Sequence, residues 1–234
     1  MMPALFRLAT GIARATLRLI RLLAVTAFYY CKLLAIDHLA RVFPDAYESR
    51  RLATAQAWLT QLERGIGQRT TVFGPVPQGQ VFLVINHVTW QDIFVLNAVP
   101  QTRAIAMDPM RDMPILGRFF RALDCVFVSR QSDEVGRINS EVGRRLTRGE
   151  SILLAPESVI SPGRHIQRFR AALLESAAQE QFPVHCCAIH YTTPHGWPPP
   201  SKSVLFGPDP YFRTPEGEVP QSQLDMWGPP RFFL

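Results

Sequence analysis

Between residues 81 and 190 the chain alternates short apolar runs with segments of helical periodicity. The sequence predicts strands near 81–86, 103–107, 124–129, 151–155 and 183–190, separated by helices near 92–98, 114–122, 134–147 and 168–180. Strands that follow one another along the chain with a helix and short loops between them lie parallel in a sheet. We therefore expect an α/β fold, with a mostly parallel central sheet flanked by helices.

The first 40 residues predict a helical segment of different character. Its apolar surface is interrupted by basic residues, which at 100° per residue fall within an arc of roughly 60°. These residues are Arg7, Arg14, Arg18, Arg21 and Lys32. A basic stripe on an apolar helix suits the membrane interface. The uncharged stretch 22–31 is shorter than the roughly 20 residues that cross a bilayer, so we expect residues 1–40 to be a monotopic or peripheral anchor.

Composition and charge agree with contact between the chain and a membrane. The chain is 47% hydrophobic and 19% charged, with a net charge of +6. Such a charge could meet nucleic acid, anionic lipid or an anionic substrate. Because the strongest basic cluster lies on an apolar helix without a recognition-helix pattern, we expect membrane lipid as a partner and no nucleic acid. The four cysteines lack CxxC spacing and predict reduced, mostly buried thiols in a cytosol-facing protein.

The stretch "FLVINHVTWQDIF" places a histidine and an aspartate at a predicted strand-to-helix corner. A neutral imidazole such as that of His87 can take a proton from an attacking hydroxyl, while a carboxylate such as that of Asp92 orients the ring. The four intervening residues allow the chain to turn and bring the two groups together. No GxSxG elbow, phosphate-binding glycine loop or metal-ligand spacing is present in the sequence, so we predict a His–Asp dyad without a metal.

Four blocks resemble the glycerolipid acyltransferase family, which includes 1-acylglycerol-3-phosphate acyltransferase. The first is NHxxxxD, formed here by Asn86, His87 and Asp92. The second is matched by "MPILGRFFRALDCVFVSR", in which Pro114, Gly117 and Arg130 are in register. "APESVISPGRHIQRFR" is similar to the third block and "FPVHCCAIHYT" to the fourth. Together the blocks cover about residues 80 to 193.

The resemblance implies a membrane-associated acyltransferase domain over residues 41–234. It implies transfer of a fatty acyl group from acyl-CoA or acyl carrier protein to a lysolipid hydroxyl, as in lysophosphatidate-type phospholipid synthesis, without a cofactor. The implied location is the cytoplasmic face of a membrane, such as the bacterial inner membrane. The implied catalytic residues are His87 and Asp92, and the implied substrate-binding residues are Asn86, Arg130, Glu157, Ser161, Gly163 and Arg170.

The third block departs from the family pattern. Ser158 replaces the family glycine, and Ile160 occupies the position of an arginine that commonly helps to bind the acceptor's phosphate. Met107 replaces a family lysine ahead of the second block. Two interpretations follow. Either the positive charge comes from Arg130, Arg164, Arg168 and Arg170, or the acceptor carries less phosphate than a lysophosphatidate.

The C-terminal region has a different composition. Ten of the 20 prolines lie between residues 194 and 230, which predicts mostly loop, and the chain ends in the apolar "RFFL". This ending favours a truncated gene product or an incomplete fold. The alternative to the enzyme is therefore a catalytically impaired family member that acts as a non-catalytic membrane-bound protein.

Overall fold

The computed structural model describes residues 2–99, 102–129, 135–157, 160 and 166–191. It divides into two compact units. The first includes the chain up to Arg69, and the second begins at Thr70. The prediction that an anchor ends near residue 40 and an enzyme domain follows stays a prediction.

The first unit contains two helices, α1 (Met2–Leu39) and α2 (Pro44–Ile66), which pack against each other. A proline in its first turn suits the start of α2, and Gly67, with a φ of 80°, ends it in the left-handed conformation that glycine adopts at low cost. The indole Nε1 of Trp58 donates to the Thr26 hydroxyl at 3.3 Å, and Arg51 pairs with Asp37 at 2.8 Å. The buried apolar side chains of this unit include Leu33, Ile36, Ala55, Trp58 and Leu59.

The outer surface of α1 is apolar over most of its length. The most apolar window of the segment Thr16–Leu39 has a mean hydropathy of 1.7. Only 11% of that window is buried within the structure. At 1.5 Å per residue these 24 residues extend about 36 Å, against a hydrocarbon thickness of about 30 Å. By length and composition the helix could therefore cross a membrane as well as lie in its interface. The predicted monotopic placement stays a prediction.

Three residues of the predicted basic stripe, Arg18, Arg21 and Lys32, are exposed on α1. The side chains of Arg7 and Arg14 lie outside the described part of the chain. The exposed large apolar side chains of the same helix are Leu17, Leu19, Ile20, Leu23, Phe28, Leu34 and Leu39.

The second unit contains a five-stranded sheet, and every strand pair within it is parallel. The strands are β1 (Phe82–Ile85), β2 (Thr102–Met107), β3 (Val126–Val128), β4 (Ser151–Leu154) and β5 (Val184–Cys187), in the spatial order β3-β2-β4-β1-β5. The α-helices of this unit are α3 (Val95–Ala98), α4 (Leu116–Ala122), α5 (Val135–Thr147) and α6 (Glu175–Gln179). The predicted parallel α/β fold is confirmed.

Two predicted helices differ from the observed ones. The corner after β1 begins with a 3₁₀ helix, Trp90–Phe94, and becomes α-helical only in α3. The helix predicted near 168–180 is reduced to a 3₁₀ turn, Ala171–Leu173, followed by α6. The reason is tertiary, because the backbone N–H of Arg170 donates to the carbonyl of Pro156 at 2.9 Å and holds the preceding segment extended.

One face of the sheet packs against α5. The helix buries Ile138, Val142 and Leu146 at four-residue spacing, which places them on one side of an α-helix. They contact alternate strand residues, including Phe82 and Ile152, both with no exposed surface. Complete burial of one such side chain stabilises the fold by about 1.5–3 kcal/mol.

The start of β3 is held by an ion-pair network around Arg145. Its guanidinium contacts both carboxylate oxygens of Asp124, at 2.7 and 2.9 Å, and also reaches Glu141 and Glu150. Burial acts to raise the pKa of Asp124, but hydrogen bonds and charge from Arg145 and Arg103 outweigh it and lower that pKa. The network therefore fixes the turn that enters β3 and leaves Asp124 charged.

The cysteines are less buried than the sequence predicted. Cys125 is buried, and burial raises the pKa of its thiol to about 12. Cys31, Cys186 and Cys187 are exposed, because α1 and β5 carry them on uncovered surfaces. The prediction of mostly buried thiols was therefore wrong.

Gly117 lies where α4 passes close to the chain at Arg111. A Cβ built at Gly117 would meet the Arg111 carbonyl oxygen and would lie 2.9 Å from its carbonyl carbon. Neither atom can move without shifting the backbone. Only glycine fits this crossing, which accounts for a glycine in the second block.

We expect Gly117→Ala to lower the free energy of unfolding by about 1–3 kcal/mol, because overpacking forces the backbone to shift. Urea unfolding followed by circular dichroism measures the change. The matched control is Gly143→Ala in α5, where the new Cβ would lie 3.6 Å from Glu180 Oε1 in ordinary contact. Equal stability of the two variants would contradict the close approach at α4.

Candidate active site

The strand-to-helix corner after β1 is shaped by burial and by a helix cap. All four residues of β1 are buried, and β1 lies between β4 and β5 in the sheet. Thr89 is the N-cap of the 3₁₀ helix, and Asp92 is its third residue. The Asp92 carboxylate accepts the Thr89 backbone N–H at 3.1 Å, so the two residues form a capping box. The cap turns Asp92 back towards the end of β1.

His87 and Asp92 are in direct contact. The distance from His87 Nδ1 to Asp92 Oδ2 is 2.7 Å. The same oxygen accepts the backbone N–H of Val88 at 2.7 Å. The Asp92 side chain is 3% exposed and the His87 side chain 21% exposed, so the carboxylate is enclosed while the ring reaches solvent. The predicted pair is brought together with the geometry of a catalytic dyad.

The contact determines which ring nitrogen carries the proton. A carboxylate only accepts hydrogen bonds, so Nδ1 of His87 is the protonated nitrogen in this pair. The lone pair of the neutral ring then lies on Nε2. A ring in this tautomer, held by a buried carboxylate, can act as a general base through Nε2.

Asn86 connects the corner to the segment after β5. Its amide Nδ2 donates to the Ile189 carbonyl at 3.0 Å, and its Oδ1 accepts the Ile189 backbone N–H at 2.6 Å. The Asn86 side chain thus makes the two backbone hydrogen bonds with Ile189 that a neighbouring strand would otherwise make. The amide oxygen and one amide hydrogen are used within the protein, and the predicted substrate-binding role stays a prediction.

Glu157 follows β4 and is also engaged by backbone groups. The residue is 3% exposed, and its carboxylate accepts long hydrogen bonds from the N–H of His87 at 3.4 Å and of Gln167 at 3.3 Å. It therefore joins the residue that carries the imidazole to the segment before Arg170. This contact supports the corner, and the predicted role of Glu157 in substrate binding stays a prediction.

Tyr191 is part of the site and was not predicted. Its hydroxyl donates to Asp92 Oδ1 at 2.7 Å across a sequence separation of 99 residues. No periodicity or motif in the sequence indicates this contact, since it depends on how β5 ends beside β1. By contrast, the threonine three residues ahead of Asp92 is a capping-box signal that is visible in the sequence.

The remaining predicted residues are placed in part. The side chain of Arg170 is exposed, and its backbone N–H donates to the carbonyl of Pro156. Arg130, Ser161 and Gly163 lie outside the described residues. Within the described ranges, no group of three or more His, Cys, Asp or Glu side chains could bind a metal ion.

Comparison with known proteins identifies the family. The sequence profile of the Acyltransferase family matches residues 69–190, which is more than half of the chain. The chain belongs to the Acyltransferase family. The matched region includes β1 to β5 and the His87–Asp92 pair, so the fold and the predicted relationship are confirmed.

Three relatives of this acyltransferase-family chain are informative. It is 34% identical over 142 residues to the lyso-ornithine lipid O-acyltransferase of Rhizobium meliloti, covering 57% of this chain and 49% of the relative. It is 30% identical over 151 residues to the 1-acyl-sn-glycerol-3-phosphate acyltransferase of Neisseria gonorrhoeae, covering 63% and 58%. The crystal structure of the 1-acyl-sn-glycerophosphate (LPA) acyltransferase PlsC from Thermotoga maritima is similar with a TM-score of 0.51 at 22% identity, covering 71% and 73%.

The chain spans about half the length of the curated relatives that it matches. The likeness to the Thermotoga maritima structure supports the fold alone, because the sequence identity is low. The acyltransferase family membership therefore applies to the sheet and its corner, where the motif residues lie.

We expect Glu157→Gln to lower the free energy of unfolding by about 1 kcal/mol or more. The substituted amide would place an NH₂ group against one of the two backbone N–H donors and leave that donor unsatisfied. Urea unfolding measures the loss. Glu180→Gln, at an exposed position after α6, is the matched control. A Glu157 variant as stable as wild type would instead favour the substrate-binding role that the sequence predicted.

Proposed function

We propose that this chain is a membrane-associated O-acyltransferase that transfers a fatty acyl group from acyl-CoA or acyl carrier protein to a lysolipid hydroxyl. The observation that carries the proposal is the 2.7 Å contact between His87 and Asp92 at the corner of an acyltransferase-family sheet. The names of the relatives support this class, since both kinds of curated relative are named as acyltransferases of lysolipids.

In the proposed reaction, His87 Nε2 removes the proton of the acceptor hydroxyl as its oxygen attacks the thioester carbonyl. Asp92 keeps the ring in the required tautomer and stabilises the imidazolium that forms. The C–S bond then breaks, giving an ester and a thiolate. Because a thiol has a pKa of only about 8.5, the leaving group needs little acid assistance. The thiolate can then accept from His87 the proton that came from the hydroxyl. Atoms and charge balance without a cofactor.

The oxyanion of the tetrahedral intermediate requires N–H donors from elsewhere in the site. The backbone N–H groups of Val88 and Thr89 already donate to Asp92. Their role is to hold the carboxylate, which leaves oxyanion stabilisation to donors beyond these two.

Location at a membrane is supported by α1 and by the nature of the acceptor. The exposed apolar side chains of α1 can be buried in lipid, and Arg18, Arg21 and Lys32 can contact lipid phosphates. We place the chain at the cytoplasmic face, where acyl-CoA and acyl carrier protein are available as donors. A single-tailed lysolipid can then enter the site from the bilayer.

Apolar residues occupy two sequence positions where the resemblance implies cations that bind the acceptor. Ile160 and Met107 are both half-buried, and Met107 packs against the core of the sheet. Arg168 and Arg170 are exposed nearby in sequence and keep the substrate-binding role as a proposal, together with Arg130, Ser161 and Gly163. Loss of two cations disfavours a phosphate monoester. We therefore propose an acceptor with an ornithine-type headgroup, which has no phosphate, over lysophosphatidate.

His87→Ala should reduce acyl transfer by about 10²–10⁴-fold, because the hydroxyl loses its general base. Transfer of labelled acyl groups from acyl-CoA and from acyl carrier protein to a panel of lysolipids measures the effect in detergent. His185→Ala is the control, since that imidazole is exposed on β5. If wild type and the His87 variant were equally inert with every donor and acceptor, the result would instead support the non-catalytic alternative.

Wild type should prefer lyso-ornithine lipid to lysophosphatidate in kcat/KM, and Ile160→Arg should shift that ratio towards lysophosphatidate by about tenfold. One added charged hydrogen bond to phosphate accounts for this magnitude. Ile166→Arg adds the same charge at a position that is 72% exposed and serves as the control. A wild-type preference for lysophosphatidate would refute the headgroup proposal and leave the His–Asp mechanism intact.

A further inference from the structure

The two oxygens of the Asp92 carboxylate are held from opposite directions. Oδ2 accepts His87 Nδ1 and the backbone N–H groups of Val88 and Thr89, all within the corner itself. Oδ1 accepts a hydrogen bond from the hydroxyl of Tyr191, which lies in the segment after β5. Since a carboxylate cannot donate, Tyr191 is the donor in this contact.

Asn86 bonds to the chain shortly before Tyr191. The Asn86 amide bonds both the N–H and the carbonyl of Ile189, two residues before Tyr191. Asn86 is also the residue immediately before His87. Residues 86 and 87 thus carry the imidazole and also bond to the segment in which Tyr191 lies.

We propose that Tyr191 is a positioning residue of the dyad and that the Asn86–Ile189 pair of hydrogen bonds sets its position. This inference rests on the proposed acyl transfer, to which it adds a residue. Rotation of the carboxylate about its Cβ–Cγ bond would shift Oδ2 against its three donors and tilt the imidazole, and those three donors all act on one oxygen. Anchoring of Oδ1 by Tyr191 stops this rotation and keeps Oδ2 on Nδ1, so that Nε2 faces the acceptor in a constant direction.

A variant that lacks only the Tyr191 hydroxyl distinguishes the positioning role from a role in packing alone. Tyr191→Phe retains the ring and removes the hydroxyl, so apolar contacts of the ring are kept while the bond to Asp92 is lost. The expected result is a reduction of kcat by about tenfold, with the KM values of donor and acceptor unchanged, because the dyad is misaligned without loss of binding. The control is Tyr47→Phe on α2, which removes a hydroxyl and keeps the ring beside Arg50.

The second readout does not depend on activity. The hydrogen-bonded Nδ1–H proton of His87 gives a downfield proton resonance, identified by its absence in His87→Ala. Tyr191→Phe should shift or broaden this resonance, and Tyr47→Phe should leave it unchanged. Urea unfolding of each variant establishes that the folded state is being compared.

Asn86→Ala supplies a third test. If Asn86 acts through Tyr191, the double variant Asn86→Ala/Tyr191→Phe should be no slower than the slower single variant, whereas independent residues would give multiplied losses. Multiplied losses would overturn the coupling between the two residues.

The outcomes separate this inference from the proposed function. A Tyr191 variant with wild-type kcat, or one that is slowed while the Nδ1–H resonance is unchanged, overturns the positioning role. An inert wild type whose resonance still responds to Tyr191→Phe overturns the acyl-transfer proposal and supports the positioning contact. An active wild type with an unresponsive resonance overturns only the role of Tyr191.

Discussion

The site depends on the buried carboxylate of Asp92. A carboxylate that is 3% exposed is costly to bury unless its oxygens are satisfied. Four donors meet this requirement, two from backbone N–H groups, one from the imidazole and one from a phenol. The arrangement that stabilises the charge is therefore also the one that orients His87.

The parallel sheet explains how distant segments supply these donors. In parallel strands the carboxyl ends lie along one edge, so the residues that follow β1, β4 and β5 meet although they are far apart in sequence. Asn86, Glu157 and Tyr191 follow three such ends. Asn86 bonds to Ile189 in the segment after β5, Glu157 accepts the His87 N–H, and Tyr191 donates to Asp92. A site assembled in this way depends on strand order more than on any one loop.

Several of these features are predictable from local pattern. The five apolar runs, the amphipathic helix α5 and the corner of β1 follow from burial and periodicity, which act over a few residues. The pairing of His87 with Asp92 is predictable too, since a capping box beginning at Thr89 turns the aspartate back within five residues. The reduced helix before β5 was not predictable, because its backbone donors bond to Pro156 and Glu157 from another strand end.

The order of residues predicts a parallel α/β fold, an apolar helix with a basic stripe near the N-terminus and a His–Asp pair at a strand end, because each is set by interactions between near neighbours. The groups that surround that pair are brought together by the folded sheet. Asn86 bonds to the backbone of Ile189 and Glu157 to the backbone N–H groups of His87 and Gln167, and the substrate-binding role expected of both stays a prediction. Tyr191 reaches Asp92 across 99 residues of sequence. Such contacts arise from strand order, and strand order is a property of the whole sheet that no local stretch of residues contains.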